Sequence, residues 1–239
     1  MNRKTQTSLI KRFTWVASLA MGLFAGFAGP VIAAVDQPAK TVDIRKWKLD
    51  PETGWSVKKL VGKKVKSQKG ENVGEVDNIV FGPDGKVRKL IVSTLGFLGF
   101  GEKNLAVKWS DVNVGPRYEY VTTPITAESV KKYGLFDGFP KSSGPLAPRE
   151  WRSSELIGGY VYLKGNVHYA YVRDLIVSQD GQLQAVIVSP DVDYEYDLGG
   201  YFAYPFYGYK HGWHPGDPHL SLPYGKADIA DLLPYVYSK

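Results

Sequence analysis

The chain has 239 residues, a formal net charge of +6, an apolar share of 44% and no cysteine. This apolar share is typical of a chain that buries a core, so disorder throughout is excluded. The absence of cysteine excludes disulfides, thiol nucleophiles and cysteine–zinc sites.

The N-terminal segment has the composition of an export signal. Four basic residues and no acidic residue accompany an apolar run over residues 13–28, which Gly29-Pro30 ends before the small residues Ala33 and Ala34. This order predicts a signal peptide over residues 1–34 and a periplasmic or otherwise exported protein. An uncleaved inner-membrane anchor is the alternative, which the short apolar run disfavours.

Removal of the predicted signal peptide would lower the net charge of the protein. Four of the 30 basic residues lie in the predicted signal, so 26 basic and 24 acidic residues remain, a net charge of +2. We therefore expect no nucleic-acid partner. Residues 35–150 carry +6 and residues 151–239 carry −4, which predicts mutual attraction of the halves or, alternatively, a basic face for an anionic partner.

A repeat dominates the rest of the chain. The stretch EVDNIVFGPDGKVRKLIVS, residues 75–93, returns as YVRDLIVSQDGQLQAVIVS, residues 171–189, at an offset of 96. Apolar positions stay apolar while polar positions vary, which indicates two copies of one packed unit. The alignment predicts that Ile79 and Leu175 hold equivalent positions with the same orientation.

Each copy has the pattern of a β-hairpin. Pro83-Asp84-Gly85 separates two apolar, β-branched runs, and Asp180-Gly181 repeats this turn in the second copy. Because an isolated hairpin is marginally stable, we expect each copy to close into a small barrel. Helical patterns are few, over residues 127–132 and 226–233.

These elements predict a mainly β fold made of two small antiparallel barrels in tandem. The segment 138–150, rich in Ser, Gly and Pro, is the expected linker. The predicted parts are a signal peptide (1–34), an N-terminal extension (35–54), a first barrel (55–137), the linker (138–150) and a divergent second barrel with an aromatic-rich C-terminal segment (151–239).

Residues 60–112 carry an ordered set of motifs. They are Leu60-x-Gly62-x-x-Val65, a glycine-containing segment over 70–76, Asp84-Gly85, a glycine-rich segment over 96–101, and a closing segment over 107–112. The set resembles the PRC-barrel domain family, named after the cytoplasmic domain of the photosynthetic reaction-centre H subunit. One departure is Lys108, where the family often has proline.

The resemblance implies a six-stranded antiparallel barrel that acts through contact surfaces, as with reaction-centre subunits or a ribosomal protein. It implies no catalytic residue, and we expect no cofactor. The second copy is similar but looser, since Ala170 replaces a glycine and an acidic segment over 191–197 replaces the glycine-rich hairpin.

The glycine-rich segment is the first candidate contact site. Its bulky apolar side chains are Phe97, Leu98 and Phe100. They predict an exposed docking tip for a partner or a membrane surface. The alternative, which the resemblance favours, is a hairpin folded over one end of the barrel.

The segment HGWHPGDPH holds a candidate metal site. Its imidazoles and carboxylate, which suit zinc or copper, are His211, His214, His219 and Asp217. Pro215 and Pro218 exclude a helix that would aim two ligands together. The alternative is an exposed loop with loose metal affinity at most.

The aromatic segment over residues 194–209 holds six tyrosines, among them the candidate partner-binding residues Tyr201, Tyr204 and Tyr207. Aromatic rings stack on sugars and pack at interfaces, so a glycan-binding or subunit-contact surface is predicted. The alternative is that these rings cover the second barrel.

No arrangement of nucleophile and base stands out, so we predict that the protein is not an enzyme. Four carboxylates alternate along the chain, at Asp191, Asp193, Glu195 and Asp197. They could form a calcium or glycosidase site, although a solvated strand edge is the favoured interpretation.

Two functional hypotheses follow. The first is a non-catalytic exported protein that acts as a protein–protein interaction or assembly module in the cell envelope, with peripheral membrane contact and homo-oligomerisation as further options. The alternative is a metal- or glycan-binding periplasmic protein that uses residues 194–224.

Overall fold

The computed structural model describes residues 40–49, 54–94, 104–126, 134–135, 146–191 and 200–237. All of them belong to one compact unit, Pro38–Lys239, which is distinct from Met1–Gln37. The predicted signal peptide, the apolar tip, the helix over 127–132 and most of the acidic segment lie outside the described residues.

Short helical turns and two β-sheets make up the described chain. In chain order the elements are β1 Gly54–Ser56, α1 Val57–Leu60, β2 Lys64–Ser67, β3 Asn72–Phe81, β4 Val87–Ser93, β5 Asn104–Lys108, β6 Asn113–Val114, β7 Tyr120–Thr123, β8 Gly134–Leu135, β9 Trp151–Arg152, α2 Ser153–Leu156, β10 Tyr160–Leu163, β11 Val167–Ser178, β12 Leu183–Pro190, β13 Phe202–Pro205, β14 His219–Ser221 and α3 Lys226–Ile229. Two 3-10 turns follow β5 and β6, at Trp109–Asp111 and Pro116–Tyr118.

The strands form two curled sheets. One has the order β6-β7-β2-β3-β4-β5-β8, with β9 also against β3, and the other has the order β13-β12-β11-β10-β14, with β1 also against β11. The mainly β class is confirmed. The prediction of antiparallel barrels is wrong at one strand pair in each sheet, because β2 pairs with β7, and β10 with β14, in parallel.

The two sheets repeat the same strand pairing. Ile79 faces Leu90 between β3 and β4, and Leu175 faces Val186 between β11 and β12, a shift of 96 residues in each strand. Both long strands also carry a bulge at the same place, after Val76 and after Val172. Ile79 and Leu175 are both fully buried, as the alignment predicts.

The opening strand of each copy lies in the sheet of the other copy. Trp55 of β1 pairs with Val177 of β11, and Trp151 of β9 pairs with Phe81 of β3, again at an offset of 96. The two copies are therefore linked by a reciprocal exchange of strands.

The hairpin turns of the two copies meet. The Val87 amide donates to the Gly181 carbonyl over 2.8 Å, and the Leu183 amide donates to the Gly85 carbonyl over 2.9 Å. Both glycines have φ in the left-handed region, +74° and +84°, which the Asp-Gly turn requires. These reciprocal bonds relate the two copies by an approximate two-fold axis.

A single buried cluster runs through both copies, and a smaller one lies on the outer face of the second sheet. In the smaller cluster, Ile176 and Ile187 are covered by Trp47 and Leu49 from the N-terminal segment and by Tyr235 and Tyr237 from the C-terminal segment, among others. The ends of the described chain thus cover a sheet face that would otherwise expose apolar residues to water.

The last helix is shorter than predicted. It ends at Ile229, and the chain then runs extended so that the Tyr235 amide donates to the Tyr201 carbonyl over 2.6 Å. The prediction of a helix to residue 233 is wrong because this segment binds the sheet as an extended strap. No helix among the described residues is long and apolar enough to span a membrane.

Candidate functional site

The three candidate tyrosines have different environments. Tyr204 is fully buried and its hydroxyl donates to the Tyr169 hydroxyl over 2.9 Å. The prediction that Tyr204 contacts a partner is therefore wrong, because its ring belongs to the core. Tyr207 is half-buried and shares a short hydrogen bond with Tyr224. Tyr201 alone among the three is exposed, at 38%. The tip residues Phe97, Leu98 and Phe100 lie outside the described residues.

The histidine loop is organised around Trp213. This ring is buried, packs edge-on against Trp151 at 4.7 Å, and its Nε1–H donates to the Asp217 carbonyl over 2.8 Å. The loop is thus held by a tryptophan anchor, which the sequence pattern of histidines did not indicate.

The carboxylate of Asp217 lies between two of the predicted metal ligands. Its oxygens are 3.7 Å from Nε2 of His214 and 3.5 Å from Nδ1 of His219. His211 is held by a bond from its own amide to the Gly208 carbonyl. Within the ranges that the structure describes, no group of three or more His, Asp or Glu side chains is arranged to hold a metal ion.

A buried carboxylate marks the junction between the copies. Asp174 accepts hydrogen bonds from the Ser56 hydroxyl, from the Lys58 amide over 2.8 Å and from the Leu175 amide over 2.7 Å. Burial raises the pKa of Asp174, although these hydrogen bonds oppose the shift. Tyr237 also contacts this carboxylate.

Asn78 occupies the equivalent position in the first copy. It accepts from the Ser153 hydroxyl over 2.8 Å and donates to the Ser154 hydroxyl over 2.9 Å. Asp174 and Asn78 thus each hold the start of the short helix, α1 or α2, that belongs to the other copy. This geometry assigns both side chains a structural task.

A groove lies between the two ends of the described chain. It lies between the segments 44–49 and 231–236 on the outer face of the second sheet and has a volume of about 660 Å³. Apolar side chains dominate its lining: Ile44, Trp47, Leu49, Phe202, Ala203, Leu232, Leu233, Pro234, Tyr235 and Val236. We call this site the terminal groove.

The rim of the terminal groove combines exposed apolar and charged groups. Leu233 is 89% exposed and Val236 is 76% exposed, the highest values among the large apolar side chains described. Arg45, Lys48 and Asp231 supply charges at the same rim. The Arg45 guanidinium donates to the Ala227 carbonyl over 2.6 Å, which ties the N-terminal segment to α3.

Sequence reasoning missed the terminal groove. The sequence pattern indicates no role for the N-terminal extension (35–54) and predicts a helix over residues 226–233. One signal was available in the apolar sequence LLPYVY at residues 232–237. Pro234 interrupts any helix there. The segment also has more large apolar side chains than a single buried face can cover, so some of them must be exposed.

Comparison with known proteins identifies a family match for one part of the chain. Residues 52–126 match a family described as the PRC-barrel domain, and this match covers the first copy. No curated protein matches the chain. The likeness of the second copy rests on the strand registers described above.

Proposed function

We propose that this chain, whose residues 52–126 match the PRC-barrel domain family, is a non-catalytic exported protein that acts as a protein–protein interaction or assembly module in the cell envelope. In this proposal two copies of the barrel unit stand in tandem behind a cleaved signal peptide. The charged start, apolar run and small residues of the N-terminus support export.

The terminal groove is the observation that carries the proposal. A large apolar side chain that is exposed on a folded protein gains free energy when a partner covers it, at about 25 cal/mol per Å² of apolar area. Leu233 and Val236 both stand at the rim of one groove, next to the partly buried rings of Trp47 and Tyr235. An apolar segment of a partner protein would complete this surface.

The charges at the rim favour a partner with an acidic group. Arg45 and Lys48 lie there with Asp231 as the acidic member. The first half of the predicted mature chain is also the basic half. Charges at an interface rim act mainly on specificity and on the rate of association.

The hydroxyl–carboxylate contacts support a non-catalytic role. Ser56 donates to the buried Asp174, and Ser178 donates to Asp180 in a turn. A serine nucleophile needs a base that takes its proton, commonly histidine, within hydrogen-bond reach. These serines instead satisfy carboxylates that hold the backbone in place.

A pull-down with matched variants tests the proposal. The double variant Leu233→Ser, Val236→Ser removes the exposed apolar rim without touching the core, so we expect its melting temperature to stay near that of the wild type. We expect the tagged wild-type protein to retain a defined envelope protein from an extract of the source organism. The double variant should lose that partner.

Val61→Ser is the control for general loss of surface hydrophobicity. Val61 is 39% exposed and does not line the terminal groove. This variant should retain the partner. Equal retention by all three proteins would contradict a docking role for the groove.

A further inference from the structure

A cluster of aromatic rings covers the outer face of three strands in the second sheet. Across the strands, His219 of β14 lies beside Tyr160 of β10, which faces Tyr171 of β11. In the next row, Tyr162 faces His168. We call these five residues the aromatic platform.

The rings of the platform contact each other while remaining accessible. Tyr160 lies 5.3 Å from Tyr171 and 5.9 Å from His219, and Tyr162 lies 5.4 Å from His168 and 5.2 Å from His219, between ring centroids. Tyr160 is 43% exposed. The alternating residues Val161 and Leu163 point inward and are buried, which fixes the outward direction of the tyrosines.

The first copy provides an internal comparison. The residues paired at the same registers there are Lys64 with Glu75, and Lys66 with Asn72, while Tyr120 and Thr122 of β7 stand in place of His219 and Ser221. The same sheet face in the first copy is thus mostly charged or polar. Since the fold accepts lysine at these positions, folding does not require the rings of the second copy.

Polar groups surround the platform. The Asp191 carboxylate is 3.6 Å from Nδ1 of His168, and the Asp217 carboxylate is 3.5 Å from Nδ1 of His219. Flat rings with hydrogen-bonding groups at their edge match the two sides of a sugar, which has an apolar C–H face and hydroxyls around it.

We propose that the aromatic platform binds a neutral oligosaccharide. With strands about 4.8 Å apart and side chains on one face about 7 Å apart along a strand, it measures roughly 10 by 7 Å, the area of about two sugar rings. A stable protein interface needs about 800 Å² on each partner and an apolar centre, and the platform has no aliphatic side chain. The carboxylates at its edge disfavour anionic ligands.

This inference does not rest on the terminal groove, and a separate titration tests it. The full mature chain is titrated with chitohexaose, cellohexaose and maltohexaose by calorimetry, and the binding site is mapped by amide chemical shifts. We expect at least one hexasaccharide to bind with a dissociation constant near or below about 1 mM. The shifted amides should centre on Tyr160, Tyr171 and His219.

The decisive variant transfers the first copy's residues to the second. Tyr160→Lys with Tyr162→Lys places lysine where Lys64 and Lys66 stand in the same fold, so folding should be kept. We expect an affinity loss of about tenfold or more, because two stacking rings are removed. Lys64→Ala with Lys66→Ala, at the matching place in the first copy, should leave the affinity unchanged.

Several results would overturn the proposal. One is that none of the three sugars binds at concentrations up to about 10 mM. Another is that the lysine double variant binds the sugar with the same affinity as the wild type. A third is that the protein binds choline chloride but no sugar. If the double variant melts early, Tyr171→Glu replaces it, since Glu75 holds the matching position in the first copy. A photocrosslinking residue at position 160 that yields a protein adduct instead of a sugar adduct would also contradict a glycan ligand.

Discussion

Asp174 and Asn78 hold equivalent positions, yet only one of them carries a titratable group. Both are nearly or fully buried and both bind the start of the other copy's helix. Because burial raises the pKa of Asp174 above its ordinary value of 3.8, the ionised form costs stability in the folded state. Asparagine at this position has the same shape without that cost.

This difference predicts the pH dependence of the variant Asp174→Asn. Below pH 3.8 the wild-type carboxyl is protonated in both states and carries no penalty. As the pH rises through 3.8 towards the raised pKa, the wild type loses free energy of unfolding relative to the variant, and above the raised pKa the difference levels off. Urea unfolding of both proteins between pH 3 and pH 8 measures it.

Asp84→Asn is the control, with the opposite sign. Although burial opposes the shift, the Lys86 amide and the Arg88 guanidinium lower the pKa of Asp84. Wild-type Asp84 therefore adds stability above its ordinary pKa, and this stability is lost as the pH falls through the lowered value. A flat difference for Asp174→Asn across the whole pH range would contradict the raised pKa.

At the scale of elements, the exchanged strands β1 and β9 carry the link between the copies. Each brings one tryptophan to the junction. Trp151 stacks on Phe81 at 4.5 Å, packs against Trp213 and Phe206, and donates from Nε1 to the Gly82 carbonyl. Trp55 instead packs at a tilt against Trp109, with 4.8 Å between ring centroids, and is slightly more exposed than Trp151, 7% against 1%.

Trp151→Ala should therefore destabilise the fold more than Trp55→Ala. Removing a fully buried tryptophan costs about 3–5 kcal/mol, because transfer free energy and packing are both lost. Trp55→Ala should cost less, since its partner Trp109 is itself partly exposed. Denaturant unfolding monitored by circular dichroism compares the free energies of unfolding of the two variants. An equal loss in both variants, or a larger loss in Trp55→Ala, would contradict this prediction.

The sequence predicted the hairpins but not the exchange of strands. Asp84-Gly85 and Asp180-Gly181 define turns through local backbone chemistry, and the alternating apolar residues define the buried faces of β3 and β11. Strands of two or three residues have no such local pattern, and nothing in β1 indicates which sheet it joins. A signal existed nonetheless, because Trp55 and Trp151 also stand 96 residues apart.

At the scale of the whole molecule, the same core serves both copies while their surfaces differ. The core was predictable because apolar residues repeat at one offset. The candidate sites were not predictable in this way, because the repeat identifies the positions at which the two copies match, whereas the sites lie at positions where the copies differ. Lys64 and Tyr160 are aligned residues, and this difference, rather than the tyrosine-rich segment, marks the aromatic platform. Tyr204 was misassigned because alternation alone does not show which face of a strand is buried.

The most direct test of an interlocked pair of copies is to separate them. Residues 38–140 and 141–239 would be produced as two chains, and the thermal unfolding of each alone and of an equimolar mixture would be followed by circular dichroism. Because each half lacks the strand that the other supplies, and the hairpin bonds between Gly85 and Leu183 need both halves, neither should show a cooperative transition alone. The mixture should recover a cooperative transition that depends on concentration, whereas cooperative unfolding of either half alone, near the melting temperature of the intact chain, would contradict the interlocked fold.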